Sequence, residues 1–76
     1  MRLSILAFGQ VAEITGSAFS FDHVSDTDAL KLSLEKAFPA LQYVRYTMAV
    51  DKTTITANTF LKENAVVALL PPFSGG

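Results

Sequence analysis

The sequence contains no cysteine, and His23 is its only histidine among 76 residues. The absence of cysteine excludes disulfides, thiolate metal sites and a cysteine nucleophile within this chain. His23 lies between Asp22 and Val24, and no other potential metal ligands cluster with it. This favours the interpretation of His23 as an exposed loop residue over that of a metal ligand. We therefore expect no metal site, and the lack of cysteine fits a reducing cytoplasm.

A surplus of charge and a long apolar run are also missing. Six basic and seven acidic residues give a net charge of −1, and they form no basic stripe that would suggest nucleic acid or anionic lipid. The apolar run in MRLSILAFGQ is too short to span a membrane, and no small-residue cleavage site follows it. The sequence thus predicts a cytoplasmic protein that binds neither nucleic acid nor membrane.

The apolar pattern predicts one α+β domain over residues 1–76, with strands on both sides of one long helix. Strands are expected in RLSILAF, SAFSFD, YTMAVD and AVVALL, and a short helix in QVAEITG. KTTIT is expected to pair with YTMAVD after a turn near Asp51 and Lys52. The segment from Asn58 to Asn64 is interpreted as an irregular loop with at most one helical turn. The first and last strands are the most apolar, so we expect them at the centre of the sheet.

The main helix is expected in SDTDALKLSLEKAFP. Ser25 or Thr27 can cap its start, and Asp26 and Asp28 favour its positive end. Pro39 is expected to end it. One apolar stripe runs along it and comprises Leu30, Leu34, Ala37 and Phe38.

The central strands carry apolar residues on both faces, although one helix can cover only one face of a sheet. The uncovered set comprises Leu6, Phe8, Val66, Ala68 and Leu70. A chain of this length has too few residues for a second layer, so this set predicts a surface that binds a partner.

Side-chain catalysis is not supported by the sequence. FGQVAEITG lacks the Lys-Ser/Thr of a phosphate-binding loop, and no base is placed to activate a serine or threonine. The chain instead ends in LLPPFSGG, with no charge after Glu63. Two terminal glycines can thread a narrow channel because they lack Cβ atoms, and two prolines stiffen the exit from the last strand. The pattern predicts a reactive C-terminal carboxylate, against the alternative of an idle flexible end.

LLPPFSGG resembles the C-terminal signature of the small subunit of molybdopterin synthase, the MoaD family, and FGQVAEITG resembles the segment after that family's first strand. Asn64-Ala65 stand where members often carry Gly-Asp, and Asp51 stands where they often carry Asn; both are turn positions. The resemblance implies a β-grasp, ubiquitin-like fold, a mixed sheet with one main helix across one face. It also implies a flexible tail over residues 71–76.

The resemblance further implies a sulfur carrier that is not catalytic alone and binds no cofactor itself. An ATP-dependent enzyme would adenylate Gly76 and convert its carboxylate to a thiocarboxylate. The large synthase subunit would bind the uncovered face and Phe73, and its substrate pterin would receive the sulfur. The residues expected to thread into that subunit are Pro71, Pro72, Phe73, Ser74 and Gly75. The alternatives are a sulfur carrier for thiamine thiazole synthesis and a ubiquitin-like module that binds without covalent chemistry.

Overall fold

The computed structural model of the protein describes residues 2–71. Over these residues the strands are β1 (Arg2–Ala7), β2 (Ala18–Asp22), β3 (Thr47–Val50), β4 (Thr53–Thr54) and β5 (Val66–Leu70). The helices are α1 (Gly9–Thr15), α2 (Thr27–Ala37) and a 3-10 helix at Pro39–Tyr43. The order of strands and helices is the one that the sequence predicts.

The five strands form one mixed sheet in the order β2-β1-β5-β3-β4. β1 and β5 run parallel, and the other neighbouring pairs are antiparallel. The prediction that the first and last strands are central is confirmed, because β5 lies between β1 and β3. A strand that is paired on both sides is best built from apolar residues, and VVALL supplies them.

One face of the sheet packs under α2 and forms the core. Burial alternates along β1 and β5, as the two-residue period of a strand requires. The fully buried members of this core are Leu3, Ile5, Val11, Leu30, Leu34, Leu41, Leu61, Val67 and Leu69. Fully burying one such side chain contributes on the order of 1.5–3 kcal/mol, so this layer accounts for much of the stability of a small domain.

The start of α2 is capped by Asp26, not by Ser25 or Thr27 as the sequence suggested. The Asp26 side chain accepts a hydrogen bond from the Ala29 backbone N–H at 2.8 Å. Asp28 lies in the first turn, where its charge favours the positive end of the helix. The prediction was wrong because Thr27 is buried and its hydroxyl bonds elsewhere.

The end of α2 agrees with the prediction: the helix stops at Ala37, and its C-cap Phe38 directly precedes Pro39. Leu30 and Leu34 are buried as predicted, but Ala37 is exposed, so the predicted apolar stripe is shorter at this end. The 3-10 helix that Pro39 begins was not predicted; a missing N–H costs nothing at its first position. This turn places Leu41 in the core.

The loop from Asn58 to Asn64 contains no helical turn and is fixed by bonds to the start of α2. The side-chain oxygen Oδ1 of Asn58 accepts from the Asp28 backbone N–H at 2.9 Å, and the Thr27 hydroxyl accepts from the Thr59 backbone N–H at 2.9 Å. Phe60 forms an isolated bridge with Asp26. The loop therefore adds a second oxygen cap to α2, which the sequence alone does not reveal.

His23 is half-buried rather than exposed, which corrects the sequence-based interpretation. Its Nε2 lies 3.0 Å from the Leu61 carbonyl oxygen, and a carbonyl can only accept, so this nitrogen carries the proton. Leu61 is fully buried. His23 thus ties the loop to the end of β2, a structural role that its sequence neighbours do not predict.

No helix among the described residues is long and apolar enough to cross a membrane. Pro71 is the last residue of the described part of the chain. The expected threading residues Pro72, Phe73, Ser74 and Gly75 and the expected reactive residue Gly76 lie outside it.

Candidate functional site

The face of the sheet opposite α2 carries the apolar set that the sequence left without cover. Leu6, Phe8 and Val66 are 37%, 47% and 39% exposed, and Ala68 and Leu70 are half-buried. The register places Leu6 beside Ala68 on the neighbouring strand. These five residues, which we call the open face, form a connected patch across β1 and β5. This patch is the candidate interaction surface of the domain.

The same side of the sheet is polar at its other end. Ser4 and Ser20 are partners across β1 and β2, and Arg2 and Asp22 are the next pair on this face. The Arg2 Nη1 lies 2.8 Å from the Asp22 Oδ1, in an ion pair that is largely exposed. Such an exposed pair contributes little stability. This face of the sheet therefore changes from charged residues beside the start of β1 to apolar residues beside the end of β5.

The apolar end of this face coincides with the point at which the chain leaves the sheet. Phe8 donates its backbone N–H to the Leu69 carbonyl at 3.1 Å, which extends the β1–β5 pairing beyond Ala7. Leu70 is the last residue of β5, and Pro71 follows it. A proline cannot donate to a ladder, so β5 ends here. Any segment that follows Pro71 begins beside Phe8 and Leu70.

The described residues offer no side-chain constellation for catalysis. No group of three potential metal ligands lies together within residues 2–71. Tyr46 carries the clearest electrostatic perturbation: its hydroxyl donates to Glu35 Oε2 at 3.0 Å. Burial, together with the Glu35 carboxylate, raises the pKa of Tyr46 well above its usual value. Tyr46 lies between α2 and the end of the 3-10 helix, on the covered side of the sheet, and does not belong to the open face.

Two turn positions that depart from the MoaD pattern are both in left-handed backbone. Asp51 has φ +48 and Asn64 has φ +65. Asparagine and aspartate tolerate this conformation better than other residues with a Cβ atom. Asn64 can therefore replace a glycine, and Asp51 an asparagine, without a change of turn.

One residue next to the exit was not identified by sequence reasoning. Gly9 begins α1 with φ +60, and a Cβ atom placed on it would lie 3.4 Å from the Cβ of Pro71. In the sequence this glycine marks only the end of a strand. Its contact with Pro71 depends on the parallel pairing of β1 with β5, which the sequence does not specify.

Comparisons with known proteins agree with this fold. A chain of the protein–protein complex of subunits 1 and 2 of molybdopterin-converting factor from Helicobacter pylori 26695 is 27% identical, with a TM-score of 0.73 and full coverage of both chains. The crystal structure of SAMP1 from Haloferax volcanii is 26% identical, with a TM-score of 0.74 and full coverage of both chains. The solution structure of the small archaeal modifier protein 1 from Methanosarcina acetivorans is 22% identical. That alignment has a TM-score of 0.80 and covers 99% of this chain and 96% of the other.

Comparison with curated protein sequences finds no match. The similar structures establish the β-grasp fold that the resemblance implied. The sequence model of the ThiS family matches residues 5–76, nearly the whole chain. The chain therefore belongs to the ThiS family, whose members are ubiquitin-like sulfur carriers of the ThiS and MoaD type.

Proposed function

We propose that this protein is the sulfur-carrying small subunit of a molybdopterin synthase. One structural observation carries the proposal: the open face is most apolar where β5 ends, so a partner bound there would also receive the segment after Pro71. The similar structure from Helicobacter pylori 26695 is a complex of subunits 1 and 2 of molybdopterin-converting factor. A chain of matching length and fold in a two-subunit complex supports a large-subunit partner for this protein.

In the proposed reaction the reactive group is the Gly76 carboxylate. At neutral pH a free C-terminal carboxyl is an anion and a poor electrophile. A separate ATP-dependent enzyme would form an acyl-adenylate on it and release pyrophosphate. A sulfur nucleophile would then displace AMP, which leaves with the former carboxylate oxygen, and give a thiocarboxylate. In this proposal no side chain of the protein takes part in the loading step.

The second stage of the proposal is delivery of the sulfur. The open face binds the large subunit by burial of apolar area. Phe8 and Leu70 are already partly buried in the free protein, so each contributes a part of the roughly 1.5–3 kcal/mol that full burial of such a side chain provides. Pro71 and Pro72 restrict the backbone at the exit. Gly75 and Gly76 allow an extended passage that side chains would obstruct. Sulfur then passes from the Gly76 thiocarboxylate to a pterin precursor bound by the large subunit, and two such transfers build the dithiolene of molybdopterin.

The loading step is tested by intact-mass spectrometry after incubation with the activating enzyme, ATP and a sulfur source. We expect a mass increase that equals one sulfur-for-oxygen exchange, located on Gly76 by fragmentation.

Deletion of Gly76 moves the carboxyl back by up to about 3.6 Å, and a misplacement of about 1 Å can lower a rate roughly a hundredfold. The shortened protein should bind the large subunit normally and fail to form the dithiolene. Normal product formation by the deletion variant would exclude Gly76 as the carrier.

Three other functions would give different results in the same mass-spectrometric and product-formation assays. A carrier for thiamine thiazole synthesis would be loaded identically but would give no dithiolene with a pterin precursor. A non-covalent module would tolerate extra residues after Gly76, whereas a carrier would lose activity. Two of the similar structures are small archaeal modifier proteins, so attachment to other proteins is a further candidate. It would appear in the spectrum as amide-linked adducts on lysines instead of a free thiocarboxylate.

A further inference from the structure

The end of β5 packs against the first residue of α1. A Cβ atom built on Gly9 would lie 3.4 Å from Cβ and 3.6 Å from Cγ of Pro71. These are ordinary van der Waals distances, so the Pro71 ring lies directly over the bare Cα of Gly9. A methyl group would just fill the space between them. A larger side chain would have to displace the ring.

Gly16, at the other end of α1, shows which part of this arrangement is specific. Both glycines have positive φ, +60 at Gly9 and +93 at Gly16, so both positions strain a residue with a Cβ atom. A Cβ atom on Gly16 would meet nothing within 4 Å. A positive φ is thus common to the two positions, whereas the contact with the chain exit exists only at Gly9.

We propose that Gly9 is a positioning residue for the C-terminal tail: it seats Pro71 and thereby fixes the direction in which residues 72–76 leave the sheet. This rests on the proposed carrier function, because direction matters only if the terminus must reach a partner's reaction centre. The Phe8 N–H bond to Leu69 holds the chain one residue before Leu70. Gly9 then supports the ring one residue after it. Contacts therefore hold the chain on both sides of Leu70, up to Pro71, the last described residue.

Simple geometry shows why this contact matters. The five residues after Pro71 span at most about 18 Å when fully extended. Because this reach is limited, a displacement of the Pro71 ring shifts the point from which the segment starts by the same distance. Since an error of about 1 Å can cost roughly a hundredfold in rate, a shifted Pro71 ring would impair transfer without any change to the open face.

A graded series of variants tests the proposal. Gly9→Ala adds a methyl that fits beneath the Pro71 ring, and Gly9→Val adds branches that do not. Gly16→Ala and Gly16→Val are the comparison variants, because they also place a Cβ atom at positive φ but in open space. We expect the alanine variants to transfer sulfur at similar rates. Gly9→Val should transfer at least about tenfold more slowly than Gly16→Val.

The rate must be measured with thiocarboxylated protein at saturating large subunit, alongside the dissociation constant of the complex. A positioning role lowers the maximal rate and leaves the dissociation constant unchanged. If Gly9 has a purely structural role, Gly9→Val should alter the maximal rate and the dissociation constant to the same extent as Gly16→Val does. That result would overturn the proposal.

Pro71→Ala supplies a second test, which does not depend on whether valine is tolerated at Gly9. If Gly9 acts through Pro71, removal of the ring should slow transfer, and Gly9→Val should add little to that loss in the double variant. Independent, additive losses would show that Gly9 acts by another route.

A measurement without sulfur chemistry separates failure of this proposal from failure of the proposed function. The chain has no cysteine, so Ser74→Cys gives a unique site for a nitroxide label. The pattern of amide resonances that the label broadens should change in Gly9→Val and stay as in the unsubstituted protein in Gly16→Val. An unchanged pattern in Gly9→Val would refute the positioning role, even if sulfur loading is confirmed. If the pattern changes in Gly9→Val but the protein is never thiocarboxylated, the proposed carrier function is refuted and the positioning role is not.

Discussion

Asp51 and Val66 exchange two hydrogen bonds across the sheet. The Asp51 N–H donates to the Val66 carbonyl at 2.8 Å, and the Val66 N–H donates to Asp51 Oδ1 at 3.0 Å. Asp51 is the first residue of the two-residue turn between β3 and β4, and Val66 begins β5. A single turn residue therefore fixes the hairpin to the start of the central strand.

Asp51→Ala is expected to lower the free energy of unfolding by about 1–3 kcal/mol. The loss combines one hydrogen bond with the strain of alanine in left-handed backbone. Asp51→Asn is the matched control, because it keeps both an oxygen acceptor and a tolerance for positive φ. Urea unfolding measures both variants. Equal stabilities for the two would show that the contact to Val66 is dispensable.

Lys52→Gly is expected to raise the free energy of unfolding by about 0.5–1 kcal/mol. Lys52 has φ +74, and both central residues of such a hairpin turn have positive φ, which favours glycine at the second position. The stability gained by relieving this strain is expected to exceed the stability lost because glycine has a larger conformational entropy in the unfolded chain. Lys62→Gly is the control, since Lys62 is an exposed loop lysine that is not in left-handed backbone. It should bring no gain in thermal or urea unfolding.

Val66→Asp should leave a folded protein that no longer binds the large subunit. Val66 is 39% exposed on the open face, whereas its neighbour Val67 is fully buried. A carboxylate at Val66 remains in water in the free protein and would be desolvated in the complex. Val67→Asp is the contrasting variant and should prevent folding. Circular dichroism and calorimetric binding distinguish the outcomes, and unfolding of Val66→Asp would show that the face assignment is reversed.

Stability should fall as the pH rises above about 10, the usual pKa of tyrosine. The raised pKa of Tyr46 means that the folded protein keeps this proton at a pH where the unfolded chain has released it. The stabilisation is therefore complete below about pH 10 and is lost progressively above it. Tyr46→Phe should flatten this decline. Tyr43→Phe, at a side chain that is 88% exposed, should retain the decline of the unsubstituted protein in urea unfolding between pH 9 and 11.

Leu34→Ala should cost about 2–5 kcal/mol, because Leu34 is fully buried beneath the sheet. Leu32→Ala, in the same helix, should cost well under 1 kcal/mol, since Leu32 is 71% exposed and alanine is a good helix former. A comparable loss for both would indicate that Leu32 is covered by a second copy of the chain. Repeating the urea titration over a range of protein concentrations would identify that case.

Most of the architecture could be predicted from the sequence because each strand and helix is signalled locally. The alternation in β1 and β5 separates a covered face from an open one, and Leu30 and Leu34 place α2 on the covered face. The turn at Asp51 and Lys52 is marked by polar residues between two strands. Such local patterns depend on short-range geometry and need no knowledge of the rest of the fold.

The sequence was less informative where a residue's partner is distant in the chain. Thr27 bonds to a loop more than thirty residues later, so Asp26 caps the helix in its place. His23 likewise meets Leu61 across 38 positions. Gly9 could be seen as a strand terminator, but its contact with Pro71 exists only once β1 and β5 are paired. Long-range hydrogen bonds and close packing have no periodic signature.

The placement of β5 also bears on the order in which the sheet can form. β1 pairs with β2 and β3 pairs with β4, yet these two strand pairs are connected in the sheet only through β5, which lies between β1 and β3. An isolated strand pair is marginal alone, so we expect the sheet to become stable only once β5, the last strand of the described residues, has joined both pairs. Until then the apolar residues of the two pairs would be open to chaperones or to other unfolded chains.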